Sequence, residues 1–75
     1  MFRYLPIENE VYSPYAGTYR AFGLRVLRQE EGGEEEFMIL PSISTDFAFT
    51  LRLASLCTRR QLSPLRLLNF LEDLL

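Results

Sequence analysis

Two adjacent glycines, Gly32 and Gly33, stand between two runs of strand-forming residues, and this pair constrains the fold more than any other feature of the chain. Glycine reaches positive φ without steric penalty, and a Gly-Gly pair supplies the two such residues of a type I′ turn. The spacing therefore predicts a β-hairpin. Its first strand covers residues 19–29, with Phe22, Leu24 and Val26 on one face and Ala21, Gly23, Arg25 and Leu27 on the other. Its second covers residues 35–40 and ends at Pro41. A two-residue loop at Gly32-Gly33 pairs Glu31 with Glu34, hence Val26 with Ile39 and Leu24 with Pro41. In that register Phe37 and Ile39 join the Phe22/Leu24/Val26 face. Arg28 then lies diagonally across from Glu35 as a cross-strand charge pair.

Ahead of the hairpin, residues 2–5 and 10–12 read as two short strands. Pro6 stops the first and Ser13-Pro14 the second, because proline cannot donate to a ladder. Ala16-Gly17-Thr18 reads as a turn. Tyr4, Tyr12, Tyr15 and Tyr19 all fall here. They are strand formers packed at a sheet edge or an exposed aromatic contact surface.

Residues 42–75 read as helical. Ser44 is the expected N-cap, and Asp46 places negative charge in the first turn, where the macrodipole favours it. Phe49, Leu53, Leu56 and Cys57 form one apolar stripe, and Phe47, Leu51 and Ala54 a second. Arg59 and Arg60 suit the negative end of this helix. Ser63-Pro64 then starts a second helix, with serine as cap and proline preset for the first helical position. Leu67, Leu68, Phe70, Leu71, Leu74 and Leu75 give it a broad apolar face, opposite Arg66, Asn69, Glu72 and Asp73. The expected fold is α+β: an antiparallel sheet of about three strands in the order β-β-β-α-α, with both C-terminal helices packed on one face.

The inventory narrows function by exclusion. A chain of 75 residues fits a single domain, residues 1–75, and its 48% hydrophobic content with ten aromatics is too high for disorder. There is no histidine, which removes Ser/His/Asp and Cys/His catalysis. A single thiol, Cys57, makes neither a zinc site nor an intramolecular disulfide, and its place on an apolar stripe makes it a buried structural group. Gly32-Gly33 is followed by a strand, so it is a turn and not a phosphate loop. All eight basic residues are arginine, but they are scattered and outweighed by ten acids, so no nucleic-acid face is expected. No apolar run reaches the roughly 18 residues of a membrane span. Met1-Phe2-Arg3-Tyr4 starts no signal or transit peptide, and a cytoplasmic location is the expectation. No catalytic residue, metal or cofactor is expected.

A local pattern runs through the last third: Ile43-Ser44-Thr45-Asp46, Leu53, Leu56-Cys57, Gln61-Leu62-Ser63-Pro64, Leu68 and Leu71-Glu72-Asp73-Leu74-Leu75. It resembles a family of short uncharacterised bacterial proteins classed as a domain of unknown function. The resemblance covers about residues 43–75, with the Gly-Gly hairpin as support, and leaves out the Tyr/Pro stretch 12–15. It implies a bacterial cytoplasmic protein and carries over no catalytic residue.

The functional expectation is a small non-enzymatic protein-interaction or regulatory module that self-associates as a homodimer or binds another protein. The dimer would use the second helix through Arg66, Leu67, Phe70, Leu71, Asp73 and Leu74. Arg66 near its positive end and Glu72-Asp73 near its negative end are reversed relative to the macrodipole. An antiparallel two-fold partner would set Arg66 beside Asp73 of the other chain, twice. The alternative is a small anion- or nucleotide-ligand-binding module using Arg3, Arg20 and tyrosine faces.

Overall fold

A computed structural model describes residues 1–74, and for residues 73 and 74 the backbone alone. Three strands, β1 (Phe2–Ser13), β2 (Gly17–Glu30) and β3 (Gly33–Ser44), form one antiparallel sheet with β2 in the middle. Two helices follow, α1 (Phe47–Arg59) and α2 (Pro64–Leu74). This is the expected α+β order. One core joins Tyr4 of β1, Leu24 and Val26 of β2, Leu53, Ala54 and Cys57 of α1 and Leu67 of α2. Both helices therefore cover the Leu24/Val26 face.

The first strand is continuous, not two short pieces split at Pro6. Phe2 and Tyr4 turn their N–H groups away from β2, toward Gln61 Oε1 and Thr58 Oγ1, each at 2.9 Å. The period of two carries Pro6 to the same open edge, where its missing N–H costs no ladder bond. The β1–β2 turn uses Ser13, whose Oγ accepts the N–H groups of Tyr15 and Ala16, and Gly17 at φ +75°.

The second hairpin departs from the expected register. Glu30 pairs with Gly33, so the loop is Glu31-Gly32, and the positive φ falls on Gly33. Arg28 lies directly opposite Glu35 instead of diagonal to it. A bulge at Phe37 then moves the pairing by one residue, to Val26 with Met38, Arg25 with Ile39 and Leu24 with Leu40. Met38 and Leu40, not Ile39, therefore join the core. Phe37 sets its ring edge-on to Phe2, 5.4 Å between centroids, under the Arg28 guanidinium. The cause is visible in the chain: Phe37-Met38-Ile39-Leu40 is apolar throughout, so alternation could not choose a face.

A second irregularity lies at residues 41–43, between the Leu24–Leu40 and Phe22–Ser44 pairs. Pro41 sits in it, where no ladder bond is asked of it. The bulge presses its backbone onto Gly23: a Cβ there would stand 1.9 Å from Leu40 O. Asn9 ties the corner by donating from Nδ2 to Pro41 O at 2.6 Å. Ala21, the ladder partner of Asn9, is buried.

Helix α1 starts two residues later than the serine cap implies. Ser44 ends β3, and Asp46 is the N-cap, accepting from Phe49 N–H at 3.3 Å. The buried stripe is Thr50, Leu53, Ala54 and Cys57, so Phe49 and Leu56 face outward. Thr50 can be buried because its hydroxyl donates to Asp46 O at 3.0 Å. The C-terminus of α1 is a Schellman motif: Leu62 N–H bonds Cys57 O and Gln61 N–H bonds Thr58 O. Gln61 occupies the left-handed position at φ +50°, where glycine is usual. Its side chain explains the choice. Oε1 accepts Phe2 N–H, while Nε2 donates to Phe2 O at 3.0 Å and Thr58 O at 2.7 Å. Helix α2 begins at Pro64 as expected, with Ser63 contributing its carbonyl to Leu67 N–H.

Two outcomes follow for stability. Gly23→Ala is expected to lose about 3 kcal/mol by overpacking against the bulge, whereas Gly32→Ala, with open space around it, stays near wild type. Gln61→Gly is expected to exceed Gln61→Ala by about 1 kcal/mol, since glycine relieves the left-handed strain, with wild type above both. Urea denaturation at constant m-value measures each difference.

Candidate interaction surface between the helices

The end geometry of α1 turns the chain sharply over residues 60–63, and α2 sets off from there with Pro64 and Leu67 buried. Leu67 anchors α2 in the core, and Leu62 and Leu71 pack at its rim. Beyond that anchor the two helices leave a groove of about 330 Å³ between them. Its floor is Leu53, Cys57, Leu62 and Leu67, and its walls are Leu56 of α1 and Phe70 of α2. These walls stay open to solvent, Leu56 at 38% and Phe70 at 51% exposure. Among the described lining residues, Arg60 and Arg66 are the charged ones.

The groove's chemistry is that of contact. Burial pushes the Cys57 thiol above its ordinary range, which disfavours the nucleophilic thiolate. Beneath the floor Tyr4 donates its hydroxyl to Leu62 O at 2.5 Å. Burial, and secondarily the neighbouring Cys57, push that phenol up to about 12. Among the described residues no group of three His, Cys, Asp or Glu could hold a metal ion. No helix among them is long and apolar enough to cross a membrane.

The residues expected at a self-contact are divided by the fold. Arg66 and Phe70 line the groove, whereas Leu71 is half-buried against the core. Leu67 is fully buried in the chain's own core, so it is no surface contact. The side chains of Asp73 and Leu74 lie outside the described residues. Leu56 and Arg60 belong to the surface without having been marked. The spacing i, i+3, i+4, i+7 from Thr50 was the available signal, hidden because threonine is polar.

The arginines of the ligand alternative are not brought together. Arg3 is gripped by both carboxylate oxygens of Glu34, at 2.8 and 2.6 Å. Arg20 pairs with Glu8 at 3.2 Å, beside a polar hollow lined by Glu8, Asn9, Glu10 and Arg20. Of the four tyrosines Tyr4 is core, while Tyr12, Tyr15 and Tyr19 are exposed on the β1–β2 arm.

A small two-layer α+β protein with an apolar groove between its helices is the class these observations define. The family model described as "Family of unknown function (DUF6514)" matches residues 1–75, and the chain belongs to that family. The match extends well beyond residues 43–75 and includes the Tyr/Pro stretch 12–15. Comparison with curated proteins and with solved structures found no match to the chain.

Tyr4 makes the junction sensitive to alkaline pH. Its phenol ionises near 10 in the unfolded chain and near 12 in the fold, so folding favours the neutral form. The contribution is fully present below pH 10 and is lost as pH rises through 12. Its size is on the order of 2 kcal/mol. The stability advantage of wild type over Tyr4→Phe is expected to shrink by that order between about pH 8 and about pH 11.5, measured by urea denaturation.

Proposed function

We propose that this is a small non-enzymatic protein-interaction module of the bacterial cytoplasm, that it self-associates as a dimer, and that the groove between α1 and α2 is its contact surface. One observation carries the reading: Leu56 and Phe70 stand exposed on either side of an apolar floor that the described residues do not fill. Apolar walls around a concave apolar floor are where binding energy concentrates in protein interfaces. A chain this small buries a modest share of its surface alone, so association adds stability that a larger domain would already have. A protonated thiol and two guanidiniums offer no acid–base pair for catalysis.

Arg60 and Arg66 on one concavity favour a second reading, a site for a small anion with an apolar body.

Light scattering at micromolar concentration tests the first reading. The expected result is a mass of two chains, falling to one in Phe70→Glu with an unchanged circular dichroism spectrum. A one-chain mass that does not rise on concentrating the protein overturns it. A thermal shift with a nucleotide or sugar phosphate at that one-chain mass would establish the second reading instead.

A further inference from the structure

We propose that the second copy binds through its own α2, laid antiparallel along the groove about a two-fold axis, with Phe70 of each copy seated against Leu56 and Phe70 of the other. This rests on the self-association reading and goes beyond it by assigning the occupant and its direction.

Charge carries the assignment. The five ion pairs among the described residues take up Arg3, Arg20, Arg25 and Arg28, all on the sheet. None of them involves Arg60 or Arg66, the two cations of the groove. The occupant that suits such a groove brings apolar side chains and carboxylates together. Helix α2 is such a segment: its last turns read Phe70-Leu71-Glu72-Asp73.

The direction follows from the helix itself. There is no acidic residue in the first turn of α2 and no basic residue in its last. Arg66 instead sits by the positive end, and Glu72 by the negative end. An antiparallel mate reverses both faults, bringing carboxylates to the start of each helix and a guanidinium to its end. A parallel mate would set Arg66 against Arg66.

Register follows from spacing. Position 73 is seven residues after Arg66, about two turns, so both lie on one stripe of the helix. A two-fold axis between positions 69 and 70 sets Arg66 opposite position 73 of the mate, twice over, and Asn69 opposite Phe70. That stripe borders the groove, because Arg66 and Phe70 both line it. A volume of about 330 Å³ takes side chains and not a whole helix. The mate's backbone therefore stays outside and its ring enters.

A charge swap tests the arrangement by sedimentation equilibrium on the full chain. Arg66→Asp and Asp73→Arg are each expected to weaken the dimer by at least about tenfold. The double variant Arg66→Asp/Asp73→Arg is expected to regain it, since the same pair is then formed with its signs exchanged. Circular dichroism confirms that each variant is folded. Dimers that ignore both single changes overturn the arrangement, as does a double variant no tighter than the singles. Self-association itself survives either result if Phe70→Glu is monomeric. A monomeric wild type removes both.

Discussion

The open edge of β1 is the constraint on which the rest of the structure depends. An edge strand exposes a row of unpaired N–H and C=O groups, and a chain of this size must satisfy or disarm them. Here the end of α1 does so. Thr58 Oγ1 accepts the Tyr4 N–H and donates to Ala54 O at 2.9 Å, so one hydroxyl serves the strand and its own helix. The Gln61 amide pairs with both backbone groups of Phe2, as a neighbouring strand would. Pro6 continues the same edge with no N–H to satisfy. The first half of the edge is thereby closed without a fourth strand. The cost is a non-glycine residue in the left-handed region, and three hydrogen bonds from its side chain offset it.

That junction also places the helices. With the first turn of β1 fastened to residues 58 and 61, α1 can lie only across the Tyr4/Leu24/Val26 face. Tyr4 reaches under it to Leu62 O and fixes where the chain leaves the helix. Helix α2 starts two residues later, and Leu67 drops into the core beside Tyr4 and Cys57. The groove is what remains between two helices joined at this angle and held together at one end.

The order of elements was legible because each boundary carries its own local chemistry: Gly32-Gly33 for a hairpin, Ser44-Thr45-Asp46 ahead of the first helix, Pro64 at a first helical position. The pairing of β3 was not, because four consecutive apolar residues satisfy either face. The turn was left as the sole guide, and it closes one residue earlier than Gly32-Gly33 suggests. Gln61 was illegible for a different reason. Its role depends on a backbone angle and on a strand 59 positions away, and neither leaves a mark in composition. Of the candidate surface, Arg66 and Phe70 could be read from the two faces of α2. Leu67 could not be told from Phe70 without knowing where the core lies, and Leu56 was absorbed into a stripe that Thr50 in fact completes.

The chain's exclusive use of arginine gains a structural meaning from how the charges divide. On the sheet, Arg25 and Arg28 of β2 reach Glu36 and Glu35 of the neighbouring β3, Arg28 also meets Glu30 of its own strand, and Arg3 of β1 reaches Glu34 of β3. Exposed pairs of this kind contribute about 0–1 kcal/mol each, and their main effect is to give every sheet arginine a carboxylate partner, in a region where seven glutamates outnumber four arginines. The helical layer is treated differently: its exposed leucines and phenylalanines are interleaved with guanidiniums that the five ion pairs leave out. A helix of eleven residues is marginal by itself in water and draws its stability from packing. Helix α2 packs one flank on the core and presents the other, Arg66 and Phe70, to the groove. The element with the least support inside the chain is therefore the one with most to gain from a contact outside it. That is the physical support for the proposed contact surface on α2 and its groove, and not on the sheet, where the arginines already have carboxylate partners.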